Sequence, residues 1–182
     1  MKNKKIIFSD NSLFGLLNFR IDVILDLMEK GYKIFIIAPD ENDLGLLEVP
    51  LGVKYYPIKI KRSSLNFFNE IKIILYYFYY YIKINPSVIF HYTIKPNTYG
   101  TIVSSLLGIK NFAVVAGLGY VFQSKKYKFK LIQFLFKFSL KFSTKIIVLN
   151  SGIYNFFIKN GFPEKKIVLF EYGEGVNVNV YK

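Results

Sequence analysis

The sequence predicts a doubly wound parallel α/β sheet, on three observations. Short β-branched runs alternate with stretches of helical period, the pattern of a sheet whose parallel strands are joined by helices. The chain has 182 residues and 52% hydrophobic content, enough for one domain with a sizeable core. No internal repeat or low-complexity linker breaks the alternation.

The elements follow in order. Residues 4–9 read as the first strand, closed by the polar turn Asp10, Asn11 and Ser12. From 14 to 30 the residues Leu16, Leu17, Ile21, Ile24, Leu25 and Leu27 keep a helical period, and Gly31 ends the helix. Residues 33–38 form a second strand stopped by Pro39 and Asp40, and a third strand over 53–60 follows a turn rich in Gly and Pro. A long helix over 65–84 stops at Asn85 and Pro86, since the residue before a proline is pushed out of helical geometry. A strand at 87–91, a helix at 98–107 ending at Gly108, and a strand at 111–116 come next. The chain continues with GLGYVF, a helix over 125–143, a strand at 145–149, a helix at 153–159 and a strand at 166–170. This predicts seven strands and five intervening helices.

Charge is distributed unevenly. Residues 1–70 hold ten bases against nine acids, whereas residues 71–163 hold twelve Lys and no Asp or Glu. So long a stretch supplies no carboxylate acid, base or hard-metal ligand, so such chemistry must come from the first 70 residues or the tail. It does suit an anionic partner, although a lysine-biased composition also adds bases. With no Cys and one His, the chain has no disulfide scaffold, no thiol nucleophile and no nitrogen and sulfur metal cluster. Arg occurs only twice and no zinc-finger or RNP-type pattern is present, so no nucleic-acid partner is expected. The longest apolar run, residues 73–82, is too short to span a bilayer, and no secretory signal is visible at the start. The expected location is the cytoplasm, with room for contact with a membrane surface.

In open α/β sheets ligands bind at the carboxyl ends of the strands, so three loops matter. Asn11 and Ser12 follow the first strand without a G-x-G-x-x-G pattern; they read as ligand donors or as ordinary turn residues. His91 leaves a buried-type strand and is the one side chain whose ordinary titration lies near neutrality; Lys95 adds a fixed positive charge, and Asn97 precedes a helix whose N-terminus presents free backbone N–H groups to an anion. That histidine is either a catalytic group or a satisfied core residue. Gly117 and Gly119, with Tyr120, allow close backbone approach to a phosphate or a sugar.

Lys126, Lys130, Gln133, Lys137 and Lys141 fall on one narrow stripe of the helix over 125–143, among Phe129, Leu131, Ile132, Leu135, Phe136, Phe138, Leu140 and Phe142. A basic stripe bordered by aromatics fits an anionic membrane surface, and Tyr76, Tyr77, Tyr79, Tyr80 and Tyr81 of the long helix could extend it. The alternative is a core helix whose lysines snorkel.

Taken together, residues 18–41 (NFRIDVILDLMEKGYKIFIIAPDE), 91–100 (HYTIKPNTYG), 117–122 (GLGYVF), 146–161 (IIVLNSGIYNFFIKNG) and 173–181 (GEGVNVNVY) resemble the N-terminal domain of bacterial glycosyltransferase family 4. The branch resembled adds sugars to lipid-linked precursors of surface polysaccharides and glycans. The resemblance implies a Rossmann-like, single N-terminal half of a GT-B enzyme, binding the acceptor while a C-terminal domain binds the nucleotide-sugar donor. It implies that residues 10–14, His91 with Lys95, and residues 117–120 line the acceptor side, with His91 in contact with the transferring sugar. It also implies retention of anomeric configuration, no metal and no cofactor beyond the donor substrate, and a polyprenyl-diphosphate-linked saccharide acceptor. Such a protein would lie peripherally on the inner face of the cell membrane.

Residues 1–172 are then the acceptor domain and 173–182 the start of the crossover, where Asn177 stands in place of the usual Asp. The paired-glutamate donor motif is absent from the chain, so transferase activity is expected only with a donor domain. Two other classes remain: a non-catalytic membrane- or phosphate-binding module, and half of another GT-B enzyme such as a nucleotide-sugar epimerase.

Overall fold

The computed structural model describes residues 4–41, 47–59, 66–124 and 126–171. Among these residues seven strands form one sheet: β1 (Lys5–Ser9), β2 (Lys33–Ala38), β3 (Lys54–Pro57), β4 (Val88–Tyr92), β5 (Lys110–Val115), β6 (Lys145–Val148) and β7 (Ile167–Leu169). All neighbours pair in parallel, in the order β3-β2-β1-β4-β5-β6-β7. The connecting helices are α1 (Leu13–Glu29), α2 (Phe67–Ile84), α3 (Thr101–Leu106), α4 (Gly119–Gln123), α5 (Tyr127–Leu140) and α6 (Ser151–Lys159). The doubly wound α/β class expected from the sequence is therefore observed.

Alternation along the strands divides the core. Ile6, Phe8, Ile34 and Ile36 face α1 and pack on Leu13, Leu16, Leu17 and Ile24. Ile7, Phe35, Ile37 and Ile89 face the other way, onto Ile73, Tyr77 and Tyr81 of α2 and Val103 of α3. Ala113, Val115, Ile146 and Val148 take Phe136 and Leu140 of α5 and Ile153 and Phe157 of α6. Burying each such side chain contributes about 1.5–3 kcal/mol, and truncating one to Ala costs about 2–5 kcal/mol.

Polar residues set the helix ends. Ser12 caps α1 by accepting from Gly15 N at 3.0 Å, Asn66 caps α2 by accepting from Phe68 N at 3.0 Å, and Asn150 caps α6 by accepting from Ile153 N at 2.9 Å. Asn85, in the left-handed region at φ 50°, closes α2 ahead of Pro86.

Three differences from the sequence reading bear on function. The helix expected to start at 98 begins four residues earlier and passes through a π-helical turn, Pro96–Gly100, before α3. There Thr101 N donates to Pro96 O, one residue wider than an α-turn. GLGYVF, read as a loop, turns at Gly119 into α4, which runs on to Gln123. The helix placed over 125–143 is shorter, Tyr127–Leu140. The predicted starts at 65 and 125, the strand end at 60 and the crossover segment 173–182 lie outside the described residues.

Candidate functional site

Winding reverses between β1 and β4, since β2 and β3 are added on one side of β1 and β5, β6 and β7 on the other side of β4. Loops leaving the two adjacent strands must diverge there, and a crevice opens at the carboxyl ends. The loops are nonetheless tied together at their base. Asn11 N donates to Thr93 Oγ1 at 3.3 Å, and Thr93 Oγ1 donates to Asp10 Oδ1 at 3.2 Å. Thr93 holds φ 62°, a left-handed conformation unusual for a β-branched residue, of the kind that gathers at ligand sites.

Two cavities share this crevice. The larger, about 660 Å³, is lined at its polar end by Asn11, Glu70, Thr93, Lys95, Thr98, Tyr99 and Tyr120, with Gly117 and Gly119. Its apolar wall is Val121 of α4 with Phe129, Ile132 and Leu135 of α5. The smaller, about 380 Å³, lies on the α1 side and includes Asp10, Ser12, Arg20, Tyr92, Asn97 and Gly117. Asn11, Thr93, Ile94 and Gly117 border both.

The glycines keep the larger space open. A Cβ at Gly117 or Gly119 would meet nothing within 4 Å, and Gly119 takes φ 62°, which only glycine adopts without strain. Tyr120 is exposed and meets Phe129 edge-on, with ring centroids 5.2 Å apart.

His91 is elsewhere. Its side chain is fully buried and borders neither cavity. Nε2 lies 2.9 Å from Tyr81 Oη, and burial holds the ring's pKa down to about 3, so it is neutral at physiological pH. The expected contact with a transferring sugar is therefore corrected: β4 runs one residue further than predicted, to Tyr92, and leaves His91 on the inward face with Ile89, under α2 and the π turn.

Other expected site residues have structural duties. Ser12 caps α1 and donates from Oγ to Glu41 Oε2 at 2.9 Å, so its hydroxyl is engaged on both counts. Asn97 is buried, and its Nδ2 donates to Val114 O at 2.9 Å, tying the π turn to β5. Lys95 is not a free cation at a helix N-terminus. Its Nζ lies 2.6 Å from Glu70 Oε1 in a mostly buried pair, and Pro96 supplies no amide hydrogen to that terminus.

The lysine stripe divides. Lys126, Lys130 and Lys141 are exposed, but Lys137 is half-buried and donates to Asn160 Oδ1 at 3.1 Å. Gln133 Nε2 donates to Val121 O at 2.8 Å. This edge of α5 abuts α4 and the end of α6, and the open face instead carries Tyr127, Leu131, Phe134 and Phe138, with Phe142 exposed in the turn just past the helix. On α2, Tyr77 and Tyr81 are buried and Tyr76 and Tyr80 half-buried; its exposed face is Phe67, Phe68, Ile71, Leu75, Tyr79 and Ile82. Among the described residues no helix is long and apolar enough to cross a membrane, and no group of three or more His, Asp or Glu could hold a metal ion.

Sequence reasoning missed Glu70, Thr93, Tyr99 and the Phe129, Ile132 and Leu135 wall. Glu70 carried one signal, as the last acid before the carboxylate-free stretch. Asp10, at the base of the crevice, has its carboxyl pushed up to about 6 by burial, against hydrogen bonds from Asn11, Thr93 and Ser12 and the charge of Arg20.

The model of the glycosyl transferase 4-like family matches residues 7–150. The N,N'-diacetylbacillosaminyl-diphospho-undecaprenol alpha-1,3-N-acetylgalactosaminyltransferase of Campylobacter jejuni is 28% identical over 98% of the chain and 48% of its own length. The chain thus spans about half the length of this curated relative. Among solved structures, the UDP-N-acetylglucosamine 2-epimerase of Rickettsia bellii superposes with a TM-score of 0.70 at 13% identity, over 94% of this chain and 45% of its own. MurG of Acinetobacter baumannii superposes with a TM-score of 0.63 at 16% identity, over 96% of this chain and 46% of its own. These neighbours share the fold, that of one half of a GT-B architecture.

Proposed function

The chain belongs to the glycosyl transferase 4-like family, and from that premise we propose that it is the acceptor-binding half of a glycosyltransferase. The reaction is transfer of a sugar from a nucleotide-sugar donor to a polyprenyl-diphosphate-linked saccharide, in the assembly of surface polysaccharide or glycan. The observation that carries this reading is the 660 Å³ cavity at the β1/β4 switch point, polar along the π turn and apolar along α5. A saccharide needs hydrogen-bond partners to orient it, and a lipid-linked one gains from an apolar wall beside them. The Campylobacter relative, whose name specifies a saccharide on diphospho-undecaprenol, supports this class of acceptor.

In this reading Asn11, Lys95, Gly117, Gly119 and Tyr120 orient the acceptor, and the donor is held by a second, donor-binding domain. Transfer proceeds with retention and without a metal, as the family resemblance implies. Catalysis by this half is positioning: it fixes the attacking hydroxyl where the donor's anomeric carbon will be presented. His91 acts from behind, by supporting the π turn that carries Lys95 and Tyr99. The chain alone turns nothing over. The exposed aromatics of α5 and its exposed lysines hold the protein peripherally on the inner face of the cell membrane, where such an acceptor is embedded.

The test is transfer of a radiolabelled sugar onto a short-chain polyprenyl-diphosphate N-acetylated saccharide. The chain alone should bind this acceptor and give no product, and addition of a separately made donor domain of the family should restore turnover. Failure to bind the acceptor overturns the reading.

A further inference from the structure

Resting on that acceptor reading, we propose that the Glu70–Lys95 pair is the saccharide-reading element of the larger cavity: it hydrogen-bonds an uncharged acetamido or hydroxyl group and turns the diphosphate away from this end. Glu70 comes from the first turn of α2 and Lys95 from the start of the π turn, so the pair bridges two elements across the cavity's polar end. Their side chains keep 13% and 9% exposure and both line the cavity.

The pair is poorly explained by stability, because two desolvated charges commonly gain no more than an apolar pair of the same volume would. It is also the one place among the described residues where a carboxylate meets this cavity, in a region otherwise rich in lysine. Were the polar end built for a diphosphate, a buried carboxylate 2.6 Å from its lysine would cancel the attraction and repel the ligand.

For a neutral ligand the same arrangement is complementary. Glu70 meets Lys95 at Oε1 and the Tyr99 hydroxyl, and its Oε2 is buried with no further donor among the described residues, so a carboxylate with about four acceptor sites has capacity left for an N–H or O–H donor. The Tyr99 hydroxyl beside it is kept protonated, first by burial, then by the Glu70 charge and by its hydrogen bond to the Glu70 carboxylate, and its oxygen is left to accept from a ligand. A sugar bearing an acetamido group offers an N–H to the carboxylate and a carbonyl to a donor. Recognition that satisfies a buried polar group discriminates sharply against ligands lacking the matching donor.

The experiment is an amide NMR titration of the 182-residue chain with two probes, methyl N-acetyl-β-glucosaminide and inorganic diphosphate. The glycoside should shift the amides of Lys95, Tyr99 and Tyr120, and diphosphate should not. Glu70→Gln should weaken the glycoside about tenfold or more and gain a diphosphate response at Lys95, now released from its carboxylate. Because that variant buries an unmatched charge, Glu70→Gln combined with Lys95→Met is titrated beside it; it should lose the glycoside response and gain none to diphosphate. Glycoside binding unchanged in both variants, or a diphosphate shift at Lys95 in the wild type, overturns the role of the pair and leaves the acceptor reading standing. No glycoside response in the wild type overturns both.

Discussion

His91 Nε2 lies 2.9 Å from the Tyr81 hydroxyl, joining the end of β4 to α2 directly beneath the π turn. Tyr81 stacks obliquely on Tyr77, whose hydroxyl accepts from Ser9 at the end of β1. The floor of the switch point is thus a chain of buried contacts, two hydrogen bonds joined by a tyrosine ring pair, running from β1 through α2 to β4, and the cavity-lining residues Lys95, Thr98 and Tyr99 stand on it.

Gly100 is the closest part of that floor. A Cβ there would lie 2.5 Å from His91 Cδ2 and 2.9 Å from Tyr81 Oη, so Gly100→Ala must displace a ring that is packed on every side. Overpacking of this kind costs about 1–3 kcal/mol. Urea denaturation should show that loss for Gly100→Ala, whereas Gly117→Ala, whose Cβ meets nothing within 4 Å, should leave stability nearly unchanged and weaken acceptor binding. Equal stability losses at the two positions would refute the close contact.

Two buried groups near this floor give opposite pH dependence. His91 is held down to about 3 from its ordinary 6.5, so between those values the unfolded chain binds a proton that the folded chain does not. Its contribution to stability is full above about pH 6.5 and is lost as pH falls. Asp10 is raised from 3.8 to about 6, so the folded chain holds a proton that the unfolded chain has released. That contribution is present below about pH 3.8 and is lost as pH rises through about 6. Denaturation midpoints between about pH 4 and 7 should therefore change in opposite senses: His91→Gln should blunt the loss of stability on acidification, and Asp10→Asn should steepen it. Changes of the same sign in both variants would contradict the burial of one of the two groups.

The strands were readable because their signals are local. Residues 33–38 form a β-branched run between Gly31 and Pro39, and the observed β2 has the same bounds. The depth of His91 was not, because it depends on which face of β4 the helix α2 covers, a relation fixed by strand order rather than by neighbours in sequence. Lys95 read as a free cation for a similar reason: its partner Glu70 lies 25 residues away on another helix. The contacts that divide the lysine stripe were not readable either: Gln133 meets α4, a short helix that GLGYVF does not announce, and Lys137 meets Asn160 at the end of α6, 23 residues away.

Thr93 carries a separable strain. Its left-handed backbone is unfavourable mainly because of the β-branch, whereas its Oγ1 holds Asp10 and Asn11 together. Thr93→Ser keeps the oxygen and removes the methyl group, and should raise stability by up to about 1 kcal/mol with the crevice intact. Thr93→Val, which keeps the branch and loses the oxygen, should lower it. Calorimetric melting of the two variants checks the order, and a serine variant less stable than the wild type would show that the methyl group packs productively.

The open face of α5 makes a prediction about membranes. Tyr127, Leu131, Phe134 and Phe138 recur at helical spacing and are exposed, Phe142 continues them in the turn past the helix, and Lys130 and the C-cap Lys141 are exposed on one flank. Burying one such phenylalanine in the headgroup boundary is worth about 1.5–3 kcal/mol, and one lysine near an anionic surface about 1 kcal/mol. The two contributions separate by lipid composition. Phe134→Ser with Phe138→Ser should reduce co-sedimentation with both phosphatidylglycerol and phosphatidylcholine vesicles, by about tenfold or more, while leaving the denaturation midpoint nearly unchanged. Lys130→Gln with Lys141→Gln should reduce only the phosphatidylglycerol interaction, and added salt should mask the difference. If the wild type fails to sediment with either vesicle, or the phenylalanine pair changes nothing, this face does not meet the bilayer, and the aromatics on α5 serve another contact.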